Sequence, residues 1–354
     1  MSSELRSESP PVNLGRRVTR EDRFRSIAFD FVFTVALLGL VTYGAFYLDP
    51  AISAGTWKPQ RPPLGPIAVS ALMPIATLVL LSLIERLFKP AGPRKSLESY
   101  LLHLQINVFY FFMAGIAGVF AAMAAAAIAH RLGFKLGLID LRFAQGKGIL
   151  ALVAAVWLAA AVGDFFFYWF HRTLHRTPFL WAHHKMHHMD PELEAITIAR
   201  QNWIEVFIAA LFISLPMMIF FKLDNLNPWK LGLLTGTFLT VLTTLLTIGH
   251  LNVRWQVGPA SFLYCSPQMH RIHHSPLPQH QDRNFAFILP LWDIIFGTYY
   301  APSWNEFPPS GVAGEKEITS FFEAQIFTQR EWWRMFRTWR KRRAALPAAP
   351  REPR

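Results

Sequence analysis

Eleven of the 13 histidines in the chain fall between positions 171 and 280, and their spacing is that of metal ligands. His171-Arg-Thr-Leu-His175 is an i, i+4 pair, which puts two imidazoles on one face of a helix. His184-Lys-Met-His187-His188 and His270-Arg-Ile-His273-His274 are i, i+3, i+4 sets of the same kind, and His250 closes an apolar run between them. A lone histidine such as His103 or His130 reads as a satisfied core residue. His183 and His280 flank clusters and are not assigned as ligands. Three clusters in helical register are a different matter, because each turns several imidazoles to one side. The nine positions His171, His175, His184, His187, His188, His250, His270, His273 and His274 exceed what one ion takes. Two ions with four or five nitrogens each would use them economically. Imidazole suits Zn, Cu, Fe and Ni. No His-Glu-x-x-His occurs, which argues against a zinc protease. The single cysteine, Cys265, excludes an intramolecular disulfide and a cysteine-based zinc cluster, and reads as inert packing.

Acidic residues near these clusters are candidates for orienting them. Asp164, His171 and His175 are spaced by seven and four, which brings them close to one helical face. A carboxylate there can accept the spare N–H of a ligand imidazole and fix its tautomer. It can equally line a polar cavity or pair with an arginine. Asp282 is a candidate for the same task at the last cluster, and Asp293 reads as a turn or cap residue.

The elements that must hold these residues are membrane helices. The 354 residues are 52% hydrophobic and 16% charged, with net charge +12 and mean hydropathy +0.25. About 25% charge is usual for a soluble domain, so the composition argues against one. Nucleic acid would suit the charge but not the hydropathy. Apolar stretches at 31–48, 67–84, 106–129, 148–170, 206–221 and 231–249 approach the ~20 residues a bilayer requires. The expected fold is therefore an all-α, polytopic helical bundle of about six spans, with no cleaved signal peptide. With both termini in the cytoplasm, inside segments hold 27 Lys and Arg and outside loops hold 8. Every histidine cluster then lies at helix ends on the cytoplasmic side. Beyond the membrane-embedded part (27–300), Phe322, Ile326, Trp333 and Phe336 recur at helical spacing among Arg330, Arg334, Arg337 and Arg340. That pattern, within a tail at 301–343, is expected of an amphipathic helix in the membrane surface or docked on the protein itself. Segment 1–26 is basic and partly disordered by composition, and 344–354 reads as disordered.

These clusters resemble the histidine boxes of the fatty acid hydroxylase/sterol desaturase superfamily of integral membrane di-iron enzymes. Asp164-Phe-Phe-Phe-Tyr168-Trp-Phe-His171-Arg172-x-x-His175 resembles the first box, and Trp181-x-x-His184-x-x-His187-His188 the second. Gly249-His250-x-Asn252 is similar to the isolated His-x-Asn after the last span. His270-x-x-His273-His274-Ser275, Asp282-x-Asn284 and Leu291-Trp292-Asp293-x-x-Phe296-Gly297-Thr298 resemble the final box and C-terminal signature. The resemblance covers about 90–300. Two departures stand out. Arg200-Gln201-Asn202-Trp203-Ile204-Glu205 lacks the histidine of the family's Arg-x-His-Pro-x-Glu, and Asn284-Phe285-Ala286 replaces Asn-Tyr-Gly.

The resemblance implies that the nine histidines hold two iron ions and that O₂ is a co-substrate. It also implies oxidation of an unactivated C–H bond in a lipid: a fatty acyl chain, a sterol or a related molecule. Only eight residues separate His175 from His184, a spacing similar to the hydroxylating branch. Hydroxylation is thus the leading expectation and desaturation the alternative. A metal transporter would place its ligands at mid-bilayer in broken helices, which this pattern does not. No dinucleotide fingerprint or haem-attachment motif is present. Electrons are therefore expected from a separate donor such as a ferredoxin, cytochrome b5 or reductase, steered by a basic face that includes Arg172, Arg271 and the tail arginines. The composition suggests a bacterial inner membrane.

Overall fold

The computed structural model describes residues 64–132, 139–140, 148–221, 241–255 and 262–344. The expected span at 31–48, the first part of the one at 231–249, and both terminal segments lie outside the described residues, as does the His130 side chain. The described residues are helical, with one isolated parallel bridge between Ile139 and Phe221. In chain order the helices are α1 (Leu64–Glu85), α2 (Leu97–Leu132), α3 (Ile149–Arg176), α4 (Pro178–His188) and α5 (Trp203–Phe220). A helical stretch at 241–249 precedes α6 (Pro267–His273), α7 (Leu291–Ile295) and α8 (Phe321–Ala344).

Among the described residues, one helical segment, Val153–Arg176 of α3, is long and apolar enough to cross a membrane. Its outward residues Leu150, Val153, Trp157, Leu158 and Trp169 are exposed, a surface that water does not favour. Helix α2 packs against α1 and α5, and α3 packs against α4 and α5. The core is split into small clusters rather than one mass. Leu78, Ile196, Ile198 and Ala199 join α1 to the 195–199 segment. Leu102, Ile106, Met186, Met189, Phe321, Ala324 and Phe327 join α2, α4 and α8.

Chain punctuation places the histidines. Thr177 is extended (φ −110°, ψ 112°), as a residue before proline prefers, and Pro178 then opens α4 at a position that needs no N–H donor. One non-helical residue therefore separates the helix of the first box from that of the second. Ser266 caps α6 by accepting the Met269 N–H at 3.3 Å, with Pro267 next. Asn202 caps α5 through the Ile204 N–H at 3.0 Å.

Helix α8 meets the docking expectation over part of its length. Its first half is docked: Phe321, Ala324, Phe327 and Thr328 are buried, and Trp332 stacks on Phe179 at 4.3 Å. Lys185 of α4 binds Glu315 at 2.7 Å and also Glu331 of α8. The second half projects, with Trp333, Phe336 and Trp339 all exposed and ring centroids 5.6 and 6.0 Å apart along the ladder.

Candidate metal centre

All nine candidate ligands come together, and they divide into two groups. His171, His175, His184, His188 and His273 form one, and His187, His250, His270 and His274 the other. Within each group one nitrogen from every residue lies within 4.8 Å of all the others. Helix α3 supplies two members, α4 three, the end of the 241–249 helix one, and α6 with its cap residue three. The i, i+3, i+4 set of α4 is shared, since His184 and His188 face one group and His187 the other. The set of α6 is shared the same way: His273 joins the first group, while His270 and His274 join the second.

Hydrogen bonding fixes which nitrogens are free. A carbonyl only accepts, so an imidazole bonded to one carries its proton on that side. His171 Nδ1–H donates to Phe285 O at 2.8 Å, His273 Nδ1–H to Arg283 O at 2.9 Å, and His250 Nδ1–H to Leu246 O at 3.2 Å. Each therefore turns an Nε2 lone pair inward. His184 Nδ1 contacts Glu205 Oε1 at 3.0 Å. In the second group, Nε2 atoms meet nitrogen to nitrogen: His250 with His270 at 3.2 Å, His270 with His274 at 3.0 Å, and His250 with His187 at 3.4 Å. The nitrogens His175 Nε2, His188 Nε2 and His273 Nε2 of the first group are buried without a hydrogen-bond partner, and so are His187 Nδ1 and His274 Nδ1, the other nitrogens of rings whose Nε2 atoms meet in the second group. Buried polar atoms are nearly always satisfied. Nine converging imidazoles, whose facing nitrogens meet only one another or no partner among the described residues, fit two cations.

Electrostatics agrees. Burial holds His187, His188, His270, His273 and His274 well below the usual imidazole range, with neighbouring imidazoles adding to the effect. It pushes His184 down to about 3 and His250 to about 4. The rings are neutral at pH 7, which is the form that binds a metal. Burial alone lifts Glu205 to about 8. A cation on the far side of His184 would favour its carboxylate form.

The acids differ from expectation. Asp164 touches no imidazole. Its carboxylate accepts the backbone N–H groups of Phe287 (3.1 Å), Ile288 (3.0 Å) and Leu289 (2.7 Å), because α3 runs beside that loop and the loop's amides have no other acceptor there. Asp282 is partly exposed and pairs with Arg176 at 3.3 Å, and its backbone holds a positive φ of +58°. Asp293 does more than cap a turn: buried, it accepts the N–H groups of Phe285 and Ala286, each at 2.8 Å, and the Thr298 hydroxyl at 2.7 Å. Glu205 has a role that the sequence left unassigned.

The remaining histidines sit outside both groups. His103 binds Asp190 at 2.7 Å in a buried cluster with Lys95 and Arg200. His280 bridges Ser275 and Glu306, each at 2.9 Å. His183 is buried against Trp332. Cys265 is buried and free. Arg271 does not belong to a surface patch, because its guanidinium lies over Phe307 at 3.8 Å and its Nε–H donates to Pro308 O at 2.7 Å. Arg172 is held by the Tyr168 hydroxyl at 2.8 Å.

Residues 156–298, which carry all nine histidines, match the fatty acid hydroxylase family model. Human alkylglycerol monooxygenase is 31% identical over 147 residues, 41% of this chain and 31% of that protein. Ornithine lipid hydroxylase OlsE of Rhizobium tropici is 27% identical over 169 residues, 48% of each chain. Protein CER1-like 2 of Arabidopsis thaliana is 27% identical over 148 residues, 40% of this chain and 23% of that protein. The matched region thus spans about a quarter to a half of these relatives. No solved structure matches significantly. The segment that builds the histidine centre is thus similar to the fatty acid hydroxylase family and to these lipid-modifying proteins.

Proposed function

We propose that this protein is a membrane-bound, O₂-dependent lipid hydroxylase whose nine histidines hold two iron ions. The observation that carries the reading is the pair of buried histidine groups, in each of which one nitrogen from every ring converges within 4.8 Å. His171, His175, His184, His188 and His273 would hold one ion, and His187, His250, His270 and His274 the other. Bound iron would supply reductive activation of O₂, with the overall balance R–H + O₂ + 2 e⁻ + 2 H⁺ giving R–OH and water. The chain's own part is to keep nine imidazoles neutral, to orient them through carbonyls and Glu205, and to exclude bulk water by burial. The relatives named for lipid hydroxylation or monooxygenation, acting on ornithine lipids and alkylglycerols, support a polar-lipid substrate and favour hydroxylation over desaturation. No electron-carrying cofactor motif occurs in the sequence, so the electrons come from a separate donor.

The membrane arrangement belongs to the same proposal: about six spans, both termini and the centre on the cytoplasmic face of a bacterial inner membrane. The exposed apolar face of α3 supports it. The projecting half of α8, with Trp333, Phe336 and Trp339 beside Arg334, Arg337 and Arg340, suits an anionic membrane surface.

The test is expression in a host lacking the enzyme, under ¹⁸O₂, followed by lipid mass spectrometry. Hydroxylation gives a product about 18 mass units above its precursor, because one ¹⁸O enters a C–H bond. A product about 2 units lighter and unlabelled would establish desaturation instead. The His184→Ala variant must lose whichever product appears.

A further inference from the structure

Five consecutive backbone N–H groups, Phe285 to Leu289, donate to just two carboxylates. Asp293 takes the first two and Asp164, from α3, takes the last three. Both acids are buried, at 1% and 3% exposure. A third anchor lies immediately upstream. The Asn284 amide donates to Met269 O (3.1 Å) and Tyr300 O (3.0 Å), and its oxygen accepts the Tyr300 N–H at 2.8 Å. Asn284 and Asp282 both hold a positive φ, +54° and +58°, without being glycine. Such conformations cost energy and persist where surrounding contacts over-determine them. The two carbonyls this loop turns inward are those of Arg283 and Phe285, the acceptors for His273 and His171.

We infer that Asp164, Asp293 and Asn284 are positioning residues for the five-histidine site. They act through the loop backbone, locking the Arg283 and Phe285 carbonyls so that His273 and His171 keep their protons on Nδ1 and offer Nε2. This inference rests on the metal-site reading and extends it. A buried acid in the apolar helix α3 thereby gains a purpose, and a direct contact with an imidazole is unnecessary. Carboxylates are suited to the task because an oxygen pair can only accept. An asparagine at either position would turn an NH₂ group toward at least one N–H donor and break the set.

The experiment uses the full chain carrying Asp164→Asn, Asp293→Asn or the milder Asn284→Asp, which tolerates positive φ but removes two donors. In metal-free, ¹⁵N-histidine-labelled protein, the NMR shifts of His171 and His273 should lose their Nδ1–H signature in each variant, while His250 keeps its own. Amide exchange across 285–289 should accelerate in the two aspartate variants. Reconstituted with Fe(II) or Co(II), the variants should lose one of two ions to a mild chelator, with affinity at that site reduced about 10- to 100-fold. Faster exchange with unchanged histidine shifts and two tightly held ions would overturn the inference, leaving these residues a purely structural role. Wild-type protein that binds no ion would defeat the metal-site reading, yet the histidine shifts would still decide the inference. Should an aspartate variant fail to fold, Asn284→Asp carries the histidine-shift and metal-affinity readouts.

Discussion

The two histidine groups share helices and neighbours but are anchored differently. In the group of five, three rings are fixed from outside: His171 and His273 by carbonyls, His184 by Glu205. In the group of four, among the described residues, an outside anchor is seen for His250, through Leu246 O, and the rings otherwise meet each other. Outer partners set an imidazole's tautomer and raise its affinity for metal. The difference teaches that the fold orients the rings of the first group through outside partners more fully than those of the second.

The largest effects should come from adjacent residues of one helix that serve different groups. His184→Ala and His187→Ala are each expected to cut activity on the order of 100-fold or more, beyond the loss from removing an outer partner. Each should also lower the metal content from two ions per chain toward one. Metal analysis of the purified variants checks this, and loss of both ions from either variant would collapse the two-site comparison. His103→Ala is no neutral control. His103 shares Asp190 with Lys95 and Arg200 in a buried cluster, so its removal should lower stability while leaving both ions bound in the folded fraction.

Glu205→Gln sharpens the comparison next. It removes the charged partner of His184 but keeps the shape. Metal affinity at the five-histidine site should fall about 10- to 100-fold, with the four-histidine site unchanged, as competitive chelation would report. Equal weakening of both sites would mean that Glu205 acts on the whole bundle rather than on His184.

Acid should act on both groups together. Folded-state values near 3 for His184 and 4 for His250 lie below the ordinary 6.5. The unfolded chain therefore binds more protons below pH 6.5, and stability must rise with pH across that window and level off above it. Each such histidine withholds about 1.4 kcal/mol per pH unit as pH falls below 6.5. Metal-free protein should melt at a clearly lower temperature at pH 5.5 than at pH 7.5. A midpoint that rises on acidification would show that these rings are not buried and neutral.

Much of the centre was legible in the sequence because helical spacing is a local property. The i, i+4 pair ends the long helix α3 and the two i, i+3, i+4 sets lie on short helices opened by Pro178 and Pro267, so the sequence carried which residues converge. It did not carry how they divide. Splitting His184 and His188 from His187 depends on where α3 and α6 pack against α4, a long-range fact. The acids failed for the same reason. Asp164 shares a helical face with His171, yet its partners come from a loop 123 to 125 residues away. Glu205 carried no spacing signal, since it lies 21 positions along the chain from His184. The tail helix showed its amphipathic pattern plainly, but only packing reveals that its first turns face α4 and its last turns face outward.

The smallest expected effect separates the two acids proposed from sequence, Asp164 and Asp282. Asp282 pairs with Arg176 where both side chains are substantially exposed, at 39% and 55%. Exposed pairs of this kind contribute about 0–1 kcal/mol and are screened by salt. Asp282 also has positive φ, which asparagine adopts readily and alanine does not. Asp282→Asn should therefore leave both ions bound and shift stability by less than about 1 kcal/mol. Asp282→Ala should cost more, because the loop conformation then carries a steric penalty. Chemical denaturation of the two variants at low and high salt checks the order. If Asp282→Asn instead released an ion, Asp282 would have to reach the five-histidine site in solution, and the contrast with Asp164 would disappear.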